Sequence, residues 1–434
     1  MRKGVVESAA FRTVSGVGAR VLVDGTWGFS SAASFERVDV LRAVRAAVAA
    51  ASSSAPGRSK RVAGLRDCEL ARGDFRSGDP ADLASRTTEE KTALAVETEA
   101  RVRASSPSIR SATARYSELV DSKWIVSTDG ADAHVEDTKA EFMVGAVAGQ
   151  GAEMTTAFHG VGVTGGMRDL FAASGPEAIA DRVSRVAVDL LAAPYAPGGP
   201  ATVVLDPELV GLLAHEAIGH TVEADFVQSG SAASGRLGQR VGSELVTLVD
   251  SGPAVIGAPT AGGVLLVDDE GVPTGRTVIV DRGVLVSYLH DRESAAVFGV
   301  PPTGNARAWQ YDDEPLIRML NTYLEPGTTP LDEVIGGVRE GFLLRGAGSG
   351  QADANGEFMF GVQEAYEIRS GKVGRLLRGA TISGDAFEVL ASVDMLSSGF
   401  EWGIGSGACG KGQDAKVDGG GPHVRCRVTV GGRS

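Results

Sequence analysis

Alternation of apolar and polar positions is the first order visible along the chain. In VGARVLVDGTWGFSSA (17 to 32) it runs on both sides of Asp24-Gly25, which predicts a hairpin. Residues 34 to 52, rich in Ala, Val and Arg, change to a helical pattern, and SSSAPG (52 to 57) ends it. TTEEKTALAVETEARVRA (87 to 104) predicts a second helix with an acidic first turn. From about 109 to 165 the pattern predicts short alternating strands, with a turn at Asp129-Gly130. GPEAIADRVSRVAVDLLAA (175 to 193) predicts a third helix.

PYAPGGP (194 to 200) breaks the pattern, because three prolines in seven residues cannot sit inside a helix or a central strand. ATVVL follows as a short buried strand. Asp206 is then placed as an N-cap and Pro207 as the first helical residue, so PELVGLLAHEAIGHTVEAD is expected to run on as one helix. After about residue 240 strands dominate. GVLLVDD (263 to 269) and TVIVDRGVLVSYLHD (277 to 291), turning at Asp281-Arg282-Gly283, are examples. The expected fold class is α+β: an N-terminal mixed α/β domain over 1–197, then a strand-rich C-terminal domain over 198–434.

Composition narrows the function classes. The 434 residues are 43% hydrophobic and 22% charged, which suits a globular chain of two or three domains. Gly is abundant at 59 residues, consistent with many turns. The formal net charge of -13 leaves no electrostatic footprint for nucleic acid or anionic lipid. Three cysteines make no disulfide framework. Neither a signal-peptide core nor an apolar run of membrane-spanning length stands out. A cytoplasmic location is expected.

The chemistry concentrates in HEAIGH (215 to 220), which places two of the chain's six histidines around a glutamate. In the H-E-x-x-H motif of zinc hydrolases the histidines are four apart; here they are five apart. Each helical residue advances about 100°, so four residues return to within about 40° and five land about 140° away. A regular helix would therefore separate His215 from His220. One extra residue in the turn, a π-bulge, would restore the shared face, and Gly219 would make that distortion easier. On this reading His215 and His220 ligate Zn²⁺ and Glu216 takes a proton from the attacking water.

A catalytic zinc needs a third protein ligand and an open position. Glu223 and Asp225 are local candidates; His290, His423, Cys409 and Cys426 are distant ones. Val424, Cys426, Val428 and Val430 share one strand face, so Cys426 reads as a core residue. Cys409 lies in the glycine-rich GSGACGKGQD, where no apolar pattern explains it. Cys409 is the better third ligand, with Glu223 still open.

HEAIGHTVEADFV together with ACGKGQ resembles the TldD/PmbA family of metallopeptidases, on its catalytic TldD side. VGARVLVDGTWGFSS, PTGNARAW (302 to 309), MLNTYLEPG (319 to 327) and EFMFGVQEAYEIRSGKVGRLLRGATISG (357 to 384) extend the likeness over nearly the whole chain. The resemblance implies that His215, His220 and Cys409 hold Zn²⁺ and that Glu216 is the catalytic glutamate. It implies an N-terminal α/β domain and a strand-rich C-terminal domain holding the metal. It further implies a homodimer, or a heterodimer with a TldE/PmbA-like subunit, that cleaves unfolded or leader peptides bound as an added strand. No nucleic acid or membrane partner is expected. Relatives carry a helix and a strand before the segment that here begins RKGVVES, so the family's first helix is expected to be missing.

Other readings carry less. Zinc chemistry on a small conjugated amide, or a non-catalytic scaffold with a four-ligand structural zinc, are the alternatives. GVGVTG (160 to 165) matches G-x-G-x-x-G but lacks the following helix of a nucleotide site and reads as a glycine-rich linker. His290 could orient substrate or stabilise an oxyanion, and Arg292 likewise, against a structural role for both. Asp268-Asp269-Glu270 reads as a turn. His134, His159 and His423 read as surface or packing residues, and Cys68 as a bystander.

Overall fold

The computed structural model describes residues 1, 4–57, 61–253, 256 and 261–433; Arg2 and Lys3 of the RKGVVES stretch lie outside them. The predicted hairpin pairs Val17–Val23 with Thr26–Ala32. Asp24 and Gly25 turn it with φ of 47° and 71°, the mirror-image turn that matches strand twist. The helix Arg37–Ser54 packs Ala43, Ala47 and Ala51 onto this hairpin. Thr88–Ala104 starts with a full capping box between Thr87 and Glu90. Pro176–Ala192 forms the third helix.

The strands between these helices are longer than expected. Ile109–Val126, Asp132–Gln150 and Glu153–Thr164 form an antiparallel meander, with Asp129-Gly130 in the first connection. Arg72–Ser77 adds in parallel. Short strands follow from alternation only if turns interrupt it, and no proline occurs from 109 to 165. The two long helices cover one face of the meander. In mid-strand, Asp137 to Phe142 are buried on both faces, and Lys139 reaches Asp137 (2.9 Å) and the carbonyl of Val264 (2.8 Å). GVGVTG lies largely within Glu153–Thr164 and is no linker. A Cβ at Gly162 would stand 2.0 Å from the carbonyl oxygen of Gly405, so these glycines let strand and loop backbones touch.

The second half contains a closed five-stranded barrel. Gly199–Leu205 lies between Glu340–Ala352, its parallel neighbour, and Val424–Gly431. Thr381–Asp385 and Glu357–Arg369 complete the ring back to Glu340–Ala352. Closure removes free edges among these strands. Beside it runs a six-stranded sheet in the order Val284–Leu285, Arg276–Asp281, Leu248–Ser251, Asn321–Leu324, Asp418–Gly421, Glu401–Trp402. GVLLVDD is not a strand; it forms turns around the isolated bridge of Val267 with Pro273. Its Asp268 is wholly buried and accepts the N–H groups of Glu270, Val272 and Ala306. That confirms the turn reading of Asp268-Asp269-Glu270 and shows why the apolar run closes into loops. No described helix is long and apolar enough to cross a membrane.

Candidate metal centre

The histidine-bearing segment follows directly from barrel strand Gly199–Leu205. Asp206 accepts the N–H of Leu209 at 3.0 Å and Pro207 opens the helix, as expected. The helix Pro207–Leu212 is regular. Leu213–Gly219 is π-helical, and the N–H of His220 bonds the carbonyl of His215. A single three-residue turn, His220–Val222, ends the run at Glu223, where the backbone becomes extended. The expected continuous helix to residue 225 is thus broken at Glu223, because the N–H of Ala224 and the carbonyl of Val222 bond Leu289 instead.

The bulge has the predicted effect on the imidazoles. The His215 and His220 rings lie 5.2 Å apart between centroids. Cys409 Sγ sits 3.2 Å from His220 Nε2. One donor atom from each of His215, His220 and Cys409 lies within 4.8 Å of the others. Gly219 itself has ordinary helical angles, φ -54° and ψ -49°. Its lack of a side chain serves space: a Cβ would meet Met319 Sδ at 1.9 Å.

Cys409 lies on the short strand Ala408–Gly410, paired with Asp414–Lys416, and not in an open loop. It is buried against Ala415 and Val417, a packing role that glycine-rich composition hid. Burial alone would push its thiol up, but the imidazoles of His215 and His220 outweigh that and hold it down at about 4. For His220, burial pushes down and is outweighed by Cys409 and Glu223, which raise it to about 10. A thiolate between two imidazoles is the charge arrangement that a divalent cation would share.

Whether these residues fit a metal is tested by His215. It is only 1% exposed, yet neither ring nitrogen makes a hydrogen bond of sound geometry among the described residues, although the Cys409 sulfur lies near enough to interact with it. An unpaired buried imidazole is costly, and a metal would satisfy it. Two imidazoles and a thiolate suit Zn²⁺.

Glu223 is not placed as a ligand. Its carboxylate is fully buried and accepts from His220 Nδ1 and from Lys411 Nζ, each at 3.0 Å. This bond leaves Nε2 of His220 to face Cys409. Lys411 also reaches Asp225 at 2.6 Å and the carbonyl of Ile317. Glu216 stays part-exposed, with one carboxylate oxygen 3.7 Å from His220 Nε2.

The remaining candidates lie apart. Cys426 is buried in the strand face anticipated for it. His423 is outside the converging group. His290 is buried beside Phe298 and bonds Ser294 Oγ at 3.1 Å; burial holds it down at about 4. Arg292 is spent on Asp129 (2.5 Å) and the carbonyl of Arg66 (3.2 Å). Two residues near the site carried no local signal in the sequence: Arg318 and Met319, which sit in a buried segment whose composition looks like core.

Comparisons with known proteins agree over the whole length. Models of the PmbA/TldA metallopeptidase family match domain 1 at residues 1–53, the central domain at 81–191 and the C-terminal domain at 198–432. A protein of Methanothermobacter thermautotrophicus named a metalloprotease is 34% identical over 436 residues, covering 100% of this chain and 92% of its own. A zinc metalloprotease TldD homolog of Saccharolobus solfataricus is 39% identical over 236 residues, 54% of this chain and 52% of its own. Among solved structures, TldE from Thermococcus kodakarensis superposes with a TM-score of 0.72 at 19% identity, over 95% of this chain and 88% of that one, which establishes the fold. The mixed α/β architecture with a strand-rich C-terminal part is the one anticipated, and the chain belongs to the TldD/PmbA family of metallopeptidases.

Proposed function

We propose that this chain is a zinc-dependent peptidase acting on extended, unfolded or leader peptides, with His215, His220 and Cys409 as metal ligands and Glu216 as proton carrier. The carrying observation is the convergence of three donors from His215, His220 and Cys409, the last 189 residues beyond His220, around a buried imidazole that makes no hydrogen bond of sound geometry among the described residues. Zn²⁺, when bound, would supply Lewis acidity and an open position to a peptide carbonyl. Glu216 lies next to His220 and keeps solvent access, so its carboxylate can take a proton from the attacking water and pass it to the leaving amine. Glu223 orients His220 through Nδ1, and Lys411 donates to the same carboxylate from the other side.

Three converging donors support an open site over a four-ligand structural one. The fold shared with TldE supports a dimer, either with a second copy or with a TldE-like subunit. A cytoplasmic location fits the three unpaired cysteines. Glu216→Ala should bind Zn²⁺ as the parent does and lose about 10²- to 10⁴-fold in cleavage of an unfolded peptide panel. Cleavage at the parental rate would sink the assignment of Glu216.

A further inference from the structure

Arg318 is among the largest wholly buried side chains in the molecule. Its guanidinium donates to two main-chain carbonyls, those of Cys409 and of Gln413, the latter at 2.7 Å. No carboxylate pairs with it among the described residues, and its Nε has no partner. Burying a guanidinium on carbonyls alone is expensive. Fold stability is therefore a poor reason for it, since an apolar side chain of the same size would fill the space.

Its two bonds have a definite geometry. Cys409 lies on the first of the short strands Ala408–Gly410 and Asp414–Lys416, and Gln413 is the last residue of the turn between them. Within the turn the N–H of Lys411 bonds the carbonyl of Gln413. The planar fork of an arginine presents two N–H groups in fixed register to both carbonyls, where a lysine would offer one point donor. The Arg318 backbone is itself held: its N–H bonds the carbonyl of Asn305 at 2.8 Å, and Asn305 Nδ2 returns a bond to its carbonyl at 2.9 Å. Asn305 is tied to the buried Asp250, which also accepts from Leu320 and Thr322.

The next residue, Met319, packs its sulfur where a side chain at 219 would stand. One dipeptide thus touches both halves of the donor set: Met319 the π-turn that presents His220, Arg318 the backbone that presents Cys409. We propose that Arg318 is a positioning residue that fixes the Cys409 sulfur in register with His215 and His220, so that the three can close on one thiolate-accepting divalent cation. The proposal rests on the metal reading of this site.

The test uses Co²⁺ and the full chain. The parent should bind Co²⁺ with a thiolate-to-cobalt charge-transfer band that Cys409→Ser abolishes; if the parent shows no such band, the metal reading itself falls. Given the band, Arg318→Met should fold, bind Co²⁺ about 10- to 100-fold more weakly and show a weakened or shifted band, because the imidazoles still bind while the sulfur is no longer held. Arg318→Lys, which keeps the charge and one bond, should recover part of both. A merely space-filling role would lower the melting temperature of the metal-free protein and leave affinity and band unchanged. Parental affinity and band in folded Arg318→Met, or in Arg318→Gln should the first variant not fold, would overturn the proposal while leaving the metal reading intact.

Discussion

The backbone N–H of His220 bonds the carbonyl of His215, five residues back, and closes the π-helical stretch Leu213–Gly219 that brings the two imidazoles to one side of their helix. Spacing that would disable a regular helix is thereby made to converge. The bulge is not held by Gly219 flexibility, since Gly219 is helical. What glycine supplies there is room for Met319.

Gly219→Ala should therefore act through sterics. A methyl 1.9 Å from Met319 Sδ forces the sulfur or the turn to move, an overpacking cost of about 1–3 kcal/mol. Combined with Met319→Ala, the loss should be smaller than the sum of the two single losses. Chemical unfolding of the four proteins decides it; simple additivity would show that the contact is not the constraint.

Cys409→Ser should weaken Zn²⁺ binding by about tenfold or more, about 1.4 kcal/mol or more, because a hydroxyl is a poor substitute for a thiolate. A competition titration with a chromophoric chelator reads this directly. Affinity equal to the parent would remove Cys409 from the ligand set.

Glu223→Gln keeps shape but removes the buried negative charge that His220 Nδ1 and Lys411 share. Zn²⁺ affinity should fall about 10- to 100-fold, although residue 223 lies outside the converging donors. Unchanged affinity would mean that the orientation of His220 is set by packing alone.

Stability should fall in mild acid in a way that His290 reports. Burial holds His290 at about 4, against about 6.5 in an unfolded chain. Between these values the unfolded chain binds more protons than the folded one, so stability drops as pH falls through that window. The contribution is at most on the order of 3 kcal/mol. His290→Gln, compared with the parent by melting at pH 7 and pH 5, should show a smaller drop. An equal or larger drop in the variant would place the acid sensitivity elsewhere.

Much of the first half was legible because its signals are local. The hairpin at Asp24-Gly25, the capping box at Thr87 and the Asp206-Pro207 helix start each depend on residues within four positions of one another. Strand length was not legible in the same way. Alternation gives the period of a strand and says nothing of where it stops, so three long strands read as many short ones. The apolar run GVLLVDD carried the same ambiguity and became loops around the buried Asp268.

At the site, the sequence by itself determined the candidate residues: two histidines and a glutamate at a spacing that demanded a bulge, and a cysteine whose glycine-rich surroundings gave it no obvious core role. It also left Glu223 open as a ligand. Tertiary structure leaves Glu223 outside the converging group, because the direction of a carboxylate depends on what is packed around it. Glu223 turns to His220 Nδ1 and Lys411 and so stands behind a donor. Tertiary structure alone also brought in Arg318 and Met319, whose neighbours lie about a hundred residues away in opposite directions along the chain. Local rules fix turns, caps and helix periods; the closing of Cys409 onto His215 and His220 depends on barrel, sheet and buried guanidinium meeting at one place.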